Sequence, residues 1–375
     1  MERPDVLAPR SPRFDAPLVP GPERTLGISA DIDAAVARLT HQLRDRAHDL
    51  GATIDVDPRS ILRARAHLLG FADPSHTSAN GHSRLIRCRD EWIALSLARR
   101  DDVDVLEALI EQPVDDDPWA CVTRAAHDAA SSRFVARGRL LGLPIALVAR
   151  GDIRATAPIE LRRRAPSSDR AALRGLVVAD LSSLWAGPLT AKILADAGAE
   201  VTKIESATRP DGARARPEFY TTLHEPDQRS VVVDFAQARD RDRLRDILAA
   251  ADVVIEGSRP RALEQLGLGP EQLDSRAGAV WLSVTGYGRR PPGDGWVAFG
   301  DDGAAAGGLV TWSKDDEPSF VGDAIADPLT GLFGALGVVE SMLLGGGHLV
   351  DVSLQRSSAW IAAKTAAPFV DVQTE

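Results

Sequence analysis

Apolar residues recur at helical spacing in the first part of the chain. In residues 28–52 they recur at steps of three, four or seven positions, and Gly51 follows the last of them: Ile32, Val36, Leu39, Leu43 and Leu50. Such spacing places the apolar side chains on one face of a helix, and glycine frequently ends helices. We therefore predict one helix that ends near Gly51 and a second helix over residues 58–69.

The following stretch mixes extended and helical patterns. Two short apolar runs predict strands, at 91–98 and 143–149, and two longer periodic runs predict helices, at 101–111 and 119–138. With the two preceding helices they predict a small α+β domain over residues 26–152. Residues 1–25, rich in proline and arginine, predict a disordered arm, and residues 153–174, with proline, serine and arginine, predict a linker.

From residue 175 onward, short β-branched apolar runs alternate strictly with helical patterns. The runs are LVVADL, EVTKIE, SVVVDF, DVVIEG and AVWLSVTGYG, and the helical patterns between them include 186–198 and 239–250. Nearly continuous apolar strands that alternate with helices are typical of a parallel sheet buried on both faces. We therefore predict an α/β fold whose core, over residues 175–375, is an open parallel Rossmann-like sheet covered by helices.

Composition narrows the classes of function. The formal charge of −10 disfavours a nucleic-acid-binding surface. The first residues lack the apolar run of a secretion signal, and no run of 18 apolar residues predicts a membrane span. Only two cysteines occur, Cys88 and Cys121, without the spacing of a zinc site or a disulfide framework. A cytoplasmic protein without a metal is the expectation.

Motifs of the common cofactor and hydrolase sites are missing from the sequence. The turn after the first core strand reads SSLWAGP instead of GxGxxG, so the backbone cannot approach a dinucleotide pyrophosphate as it does in NAD-binding folds. Glu205 ends the second strand where an acid could bind a ribose, but without the glycines we do not expect NAD. Neither HExxH nor GxSxG is present.

Asp327 is the most informative carboxylate. It lies with Asp323 in the apolar stretch VGDAIADPLTGLFGALG, which leads into a helix. Pro328 suits the first helical position and so predicts Asp327 as the N-cap, where the helix dipole and nearby amides would lower its pKa and keep it ionised. An ionised carboxylate could also act as a covalent nucleophile, and the local sequence leaves cap and nucleophile both open.

Several blocks in one order carry a family resemblance. They are DLSSLWAGPLTAKILADAGAEVTKIE, QRSVVVDF, ADVVIEGSRPRALEQLGLGPEQL, WLSVTGYG, ADPLTGLFGALG and GGGHLVDVSL. From Leu176 to Ser358 the chain resembles the class III coenzyme A transferases, which also include carnitine-CoA transferases and α-methylacyl-CoA racemases. The family's catalytic aspartate opens an Asp-x-x-x-Gly block, which matches Asp327 to Gly331 here.

The resemblance implies a reaction and its substrates. Asp327 would attack an acyl-CoA, form a mixed anhydride and then an aspartyl-CoA thioester, and pass coenzyme A to a carboxylic acid. The positions that correspond to the family's CoA site are Leu184, Trp185, Val233, Gly257, Ser258 and Arg259, with Arg209, Arg229 and Arg261 as cations for the phosphates. Family members form interlocked homodimers, so a homodimer is expected.

Departures from the family pattern keep two alternatives open. Ser206 replaces a basic residue, Gly257 and Ser258 replace Asn-Phe, and the histidine of the racemases falls near Phe299. An acyl-CoA racemase or isomerase is one alternative, and Phe299 disfavours it. A degenerate, non-catalytic CoA-binding or subunit protein is the other. The small domain also precedes the core, whereas it follows the core in the family, which predicts a rearranged domain order.

Overall fold

The computed structural model describes residues 25–151, 156–170, 172–224, 228–363 and 369–373. Apart from Thr25, the predicted disordered arm lies outside the described residues. The helices are α1 (Ala30–Asp49), α2 (Pro58–Leu69), α3 (Arg100–Asp104), α4 (Leu106–Ile110), α5 (Pro118–Asp128), α6 (Ser131–Leu140), α7 (Ala186–Asp196), α8 (Pro217–Leu223), α9 (Ala238–Ala250), α10 (Pro260–Glu264), α11 (Gly300–Ala306), α12 (Ala326–Leu343) and α13 (Leu354–Ala362).

The strands are β1 (Ser83–Arg87), β2 (Trp92–Ser96), β3 (Ile145–Leu147), β4 (Ile159–Arg163), β5 (Val177–Asp180), β6 (Glu200–Ser206), β7 (Arg229–Val233), β8 (Val253–Glu256), β9 (Val280–Thr285), β10 (Thr311–Trp312), β11 (Pro318–Ser319), β12 (His348–Ser353) and β13 (Val370–Gln373). Two short 3₁₀ segments, Gly212–Ala215 and Gly293–Gly295, complete the described elements.

Eight strands form the large sheet, in the order β13-β4-β12-β9-β8-β5-β6-β7. The six strands from β12 to β7 are parallel, and read from β5 they follow the doubly wound nucleotide-binding order, which confirms the predicted Rossmann-like sheet. The other two differ from the prediction of a parallel sheet, because β4 runs antiparallel to β12 and β13 runs parallel to β4. β4 also lies within the segment predicted to be a linker.

Alternate residues of the central strands point into two different apolar layers. In β5, Val178 packs in the layer that contains α7 and α12, whereas Ala179 packs in the layer of α9. In β9, Leu282 packs in the layer of α7 and α12, and Trp281 packs in the layer of α9. Because side chains alternate along a strand, a sheet covered on both faces requires apolar residues at consecutive positions. This explains the continuous apolar runs in the sequence.

Helix α12 is almost entirely buried, and glycines bring its neighbours close. A Cβ at Gly334 would lie 2.6 Å from Thr190 Oγ1 of α7, and one at Gly337 would lie 2.6 Å from Val350 Cγ1 of β12. These contacts fix the helix against the sheet and so fix the residues at its first turn. No described helix has the length and hydrophobicity needed to cross a membrane.

The small antiparallel sheet, β1-β2-β3, packs with α4, α5 and α6 around an apolar cluster of its own. Helices α1 and α2, by contrast, share the apolar core of α7 and α12. The predicted helix over 119–138 is two helices, since Ser131 N donates to Asp90 Oδ1 at 2.8 Å and Arg89 N donates to Ala129 O at 3.1 Å. These long-range hydrogen bonds end α5 and start α6.

Candidate active site

Two loops meet at the point where the sheet reverses its strand order. From β5 the chain continues to β6 on one side, whereas from β8, which lies on the other side of β5, it continues to β9. The loops after β5 and β8 therefore diverge and flank a crevice at the carboxyl edge of the sheet. In open α/β sheets ligands bind at such a crevice. A Cβ at Gly257 would lie 3.4 Å from Ser182 Cβ, which shows how closely the two loops pack. The structure thus places Leu184 and Trp185 on one of these loops and Gly257, Ser258 and Arg259 on the other.

A buried lysine holds the loop after β5. Lys203 Nζ lies 3.3 Å from Asp180 Oδ2 and 3.1 Å from Asp211 Oδ2, and it donates a hydrogen bond to Ser182 O. Burial by itself would lower the pKa of Lys203, but the two carboxylates raise it above its ordinary value, so the lysine stays charged. Asp211 Oδ1 also accepts a hydrogen bond from Leu184 N at 2.9 Å.

This network fixes a backbone conformation that a side chain rarely adopts. Leu184 has a φ of 70°, in the left-handed region, and its side chain is 38% exposed at the carboxyl edge. Trp185 directly after it is buried. Because a non-glycine residue in this region costs free energy, the hydrogen bond from Leu184 N to Asp211 stabilises the loop against relaxation. The conformation of this loop therefore depends on the network of Lys203, Asp180 and Asp211.

The other predicted CoA-site residues are scattered. Arg209 lies exposed in the loop after β6, and Val233 is the buried last residue of β7. Arg229 is the first residue of β7, so it lies at the amino edge of the strand, opposite the edge where the crevice opens. The structure therefore does not bring Arg229 to the predicted site. Arg261 approaches the 3₁₀ segment, with Nη2 3.7 Å from the position of a Cβ at Gly295.

Asp327 is the second residue of α12, not its N-cap. The helix begins at Ala326 after Ile325, whose backbone is already helical, and Asp327 N donates to Ala324 O at 2.8 Å. The prediction of an N-cap is thus wrong, because the helix starts two residues earlier than Pro328 suggests. Among the described residues, no hydrogen bond to the Asp327 carboxylate is formed. Its oxygens are left available for chemistry.

The pKa of Asp327 is raised, to about 7. Burial is the largest cause; Asp301 and Asp323 raise the pKa further, and Arg65 lowers it. Asp327 is half-buried, and the protein packed around its carboxyl group removes water and so favours the protonated form. The expectation of a lowered pKa is therefore wrong.

Asp301 and Asp323 form a buried polar cluster with groups from the first half of the chain. Arg65 of α2 donates from Nε to Asp323 Oδ2 at 2.7 Å and from Nη2 to Asp323 Oδ1 at 2.6 Å. Asn80 Nδ2 bridges the two acids, at 3.0 Å from Asp301 Oδ2 and 3.2 Å from Asp323 Oδ1. Asp301 Oδ1 accepts a hydrogen bond from Ala324 N at 2.9 Å. The acids thereby join α11 to the turn before α12.

Asp302 continues the cluster toward the small sheet. Its Oδ1 accepts from Ser96 Oγ at 2.7 Å and from Phe299 N at 2.9 Å, while its buried Oδ2 has no hydrogen-bond partner within the described residues. Burial raises the pKa of Asp302 to about 7, and that of Asp301 is raised as well. Ser83 links the two acids, donating to Asp301 Oδ2 at 3.0 Å and lying 2.8 Å from Ser96 Oγ.

Most of this cluster is not predicted by the sequence. The adjacent acids in GDDGAAAGG are a usable signal, because charged residues rarely enter an apolar, glycine-rich stretch without a function or a partner. Arg65 carries no such signal, since it is one of many arginines on amphipathic helices. Its importance follows only from the fold that places α2 against α12 and the β5 loop.

A groove of about 770 Å³ lies elsewhere on the described surface, lined in part by Arg139, Tyr287 and Trp296. Asp327 does not line it. Asp327 therefore lies apart from this groove. At Asp327 the arrangement offers a carboxylate that titrates near neutral pH, next to the crevice loops, which suits nucleophilic or acid–base catalysis.

Comparison with known proteins gives a family match over the core. The model of the family described as CoA-transferase family III matches residues 173–373. Among curated proteins, an acyl-CoA transferase of Fusarium pseudograminearum is 35% identical over 211 residues, which cover 50% of this chain and 46% of that protein. A succinyl-CoA:glutarate CoA-transferase of Mus musculus is 30% identical, over 54% of this chain and 50% of that protein.

A succinyl-CoA–D-citramalate CoA-transferase of Chloroflexus aurantiacus is 30% identical over 47% of this chain and 48% of that protein. The chain spans about half the length of the curated relatives it matches. Among solved structures, a CAIB/BAIF family protein from Brucella suis is 27% identical, with a TM-score of 0.44, over 53% of this chain and 57% of that one. A hypothetical protein from Mycobacterium tuberculosis is also 27% identical, with a TM-score of 0.46, over 53% of this chain and 57% of that one.

Proposed function

This chain belongs to CoA-transferase family III, and on that premise we propose that it moves coenzyme A between an acyl-CoA and a carboxylic acid through Asp327. The observation that carries the proposal is the position of Asp327 and the lack, among the described residues, of a hydrogen bond to its carboxylate. Asp327 is a carboxylate without a hydrogen-bond partner in the described structure, held at the first turn of the buried helix α12. Family III relatives are named as CoA-transferases that act with succinyl-CoA, which supports this class of substrate.

The proposed reaction uses the Asp327 carboxylate twice. One oxygen attacks the thioester carbonyl, the C–S bond breaks, and an acyl-aspartyl anhydride and the CoA thiolate form. The thiolate then attacks the aspartyl carbonyl, which releases the first acid as its carboxylate and leaves an aspartyl-CoA thioester. The acceptor carboxylate attacks that thioester, which breaks its C–S bond and gives a second acyl-aspartyl anhydride and the CoA thiolate. The thiolate then attacks the acceptor's carbonyl, forms the new acyl-CoA and releases the Asp327 carboxylate. Each step exchanges one acyl bond for another, so no water or oxidant is consumed.

Coenzyme A is proposed to lie along the crevice loops. The loop after β5 would face the pantetheine arm with Leu184, whose side chain is 38% exposed at the carboxyl edge, while the buried Trp185 supports the loop from below. Arg209 and Arg259 are exposed cations at the same edge and would contact the phosphates. Arg229 is left out of the proposed site because of its position at the amino edge.

A homodimer in the cytoplasm is the proposed assembly and location, from the resemblance to interlocked family members. Light scattering coupled to size-exclusion chromatography tests the assembly directly. A mass of one chain at micromolar concentration would contradict it.

Trapping of the covalent intermediate tests the proposed reaction. The protein is incubated with succinyl-CoA and a panel of free acids, treated with hydroxylamine or borohydride, and digested for mass spectrometry. We expect an adduct on the peptide that contains Asp327, and no adduct in Asp327→Asn. Asp315→Asn, at an exposed loop position, is the matched control and should keep both adduct and transfer.

Three other outcomes would contradict the proposal. Exchange of the α-proton without an adduct would indicate an isomerase, the alternative that Phe299 disfavours. Thermal stabilisation by CoA species without adduct or exchange would indicate a non-catalytic binding protein. No stabilisation by any CoA species would exclude a CoA site altogether.

A further inference from the structure

We propose that Arg65, outside the family-matched residues 173–373, is a positioning residue for Asp327 that links α2, the loop after β5 and the first turn of α12. This inference rests on the proposed role of Asp327. Its basis is a set of contacts on both sides of one guanidinium group. Arg65 touches the acid that precedes Asp327 in the chain and also the aromatic residue of the crevice loop.

The first contact is a two-pronged ion pair with a fully buried acid. Arg65 Nε and Nη2 lie 2.7 and 2.6 Å from the two oxygens of Asp323, and the side chains of Arg65 and Asp323 are 16% and 0% exposed. A planar guanidinium bound to both oxygens fixes the plane of the carboxylate. Because Asp323 begins the turn that leads into α12, this pair fixes the backbone on which Asp327 is carried.

The second contact is with the aromatic residue of the crevice loop. The centre of the Arg65 guanidinium lies 4.3 Å from the ring centroid of Trp185 and 5.3 Å from that of Phe219. These two rings meet edge to face, with centroids 5.2 Å apart. A cation over an aromatic face is attracted to it, and more strongly where water is excluded. Arg65 therefore joins the β5 loop to the turn of Asp327.

Charge at Asp327 depends on this cation. The charged groups that act on the Asp327 carboxylate are Arg65 from α2, Asp301 from α11 and Asp323 from the turn before α12. Arg65 is the group among them that favours the ionised form, and the two acids oppose it. Loss of the Arg65 charge would leave three neighbouring carboxyl groups in a buried site, and Asp327 would keep its proton to higher pH.

Helix α2 itself provides a matched control. Arg63 also forms a two-pronged pair, with Nη1 2.8 Å from Asp33 Oδ1 and Nη2 3.0 Å from Asp33 Oδ2. This pair joins α2 to α1, and Arg63 has no contact with the acids around Asp327 in the described structure. Arg63→Gln and Arg65→Gln thus remove the same kind of interaction from the same helix, but only one of them faces the site.

The test measures the ionisation of Asp327 without requiring turnover. The free protein is labelled across a pH series with a water-soluble carbodiimide and glycine ethyl ester, and labelling of the Asp327 peptide is quantified by mass spectrometry. We expect Arg65→Gln to move the midpoint of labelling upward by about one pH unit. Arg63→Gln should leave the midpoint at its wild-type value. An unchanged midpoint in folded Arg65→Gln, or an equal shift in Arg63→Gln, would overturn the inference.

Arg65→Lys keeps the positive charge but removes the planar guanidinium that binds both oxygens of Asp323. It also replaces Arg65→Gln in the test if that variant does not fold. With the charge kept, the labelling midpoint should stay within about half a pH unit of wild type, whereas loss of the guanidinium should lower kcat about tenfold with a smaller change in KM. A lysine variant with wild-type kcat would overturn the positioning role. If the wild-type protein forms no adduct at Asp327, the proposed function fails, and the labelling midpoints still decide the role of Arg65.

Discussion

Gly300 lies so close to Asp327 that only a hydrogen atom fits between them. A Cβ at Gly300 would lie 2.5 Å from Asp327 Oδ2, well inside van der Waals contact. Gly300 is the first residue of α11, and Asp301 beside it belongs to the acid cluster. The close approach allows α11 to bring its acids against α12, and it leaves one face of the Asp327 carboxylate bounded by backbone.

Substitution of Gly300 by alanine should therefore damage the site. We expect Gly300→Ala to displace the Asp327 carboxylate, lower transfer activity about 100-fold and destabilise the fold by roughly 1–3 kcal/mol. Steady-state kinetics and urea unfolding measure the two effects. Gly295→Ala is the control, since its added Cβ would meet only Arg261 Nη2, at 3.7 Å. Wild-type activity in Gly300→Ala would contradict the close packing described above.

The raised pKa of Asp327 predicts how activity depends on pH. The nucleophile is the ionised form, and the pKa lies at about 7, so kcat/KM should rise with pH between 5 and 9 with its midpoint near 7. The midpoint reports the free enzyme. An Asp323→Asn variant removes one negative neighbour and should move the midpoint downward. A profile that is flat or falls with pH over this range would contradict an ionised Asp327 nucleophile.

Asp302 should make the fold less stable at alkaline pH. Its folded pKa of about 7 lies above the ordinary value of 3.8, so the folded state binds the proton more tightly than the unfolded state. The stability that this provides is complete below pH 3.8 and is lost as the pH rises to about 7. Asp302→Asn keeps a neutral side chain of the same shape and should stabilise the protein at pH 8 by on the order of 1–3 kcal/mol. The gain should shrink at pH 5, and a gain that is equal at both pH values would contradict the assignment.

Lys203 should be essential for stability because two buried acids depend on it. In Lys203→Met, Asp180 and Asp211 lose their cation, and we expect a loss of about 3–5 kcal/mol in the free energy of unfolding. The exposed Lys314→Met should change it by less than about 0.5 kcal/mol. Urea unfolding measures both. Release of the Leu184 loop should also weaken CoA binding in any Lys203→Met protein that folds, as measured by calorimetry.

Two arginines test which edge of the sheet holds the phosphates. Arg259→Ala, at the carboxyl edge, should raise KM for the acyl-CoA about threefold to tenfold, because one charge-assisted contact is lost. Arg229→Ala, at the amino edge, should change it by less than about twofold, within the range of a surface substitution. Measurement of the same KM values at several salt concentrations provides a check, since KM of the Arg259 variant should depend less on ionic strength than that of the wild type. The reverse result would place the nucleotide at the other edge.

The sequence predicts the elements whose formation depends on local pattern. Helix α2 spans Pro58–Leu69 as predicted, because Asp57 caps it, Pro58 starts it and Gly70 ends it. The central strands are predicted as well, since burial on both faces demands continuous apolar residues. The break between α5 and α6 is not predicted, because it is set by Asp90 and Arg89 from a distant turn. Strand β4 is missed because IELRR is short and charged.

For the site, the local sequence places Asp327 at the start of an apolar helix, and the order of the sequence blocks singles it out as the candidate nucleophile. Whether that carboxyl group is charged is decided by the tertiary structure. The sequence indicates an ionised cap, since it shows a helix start and a proline, whereas the fold surrounds Asp327 with packed protein and two acids. The fold also brings the Arg65 guanidinium to the site, from more than two hundred positions earlier in the chain. Desolvation and charge act through space, and the distances on which they depend exist only after the chain has folded.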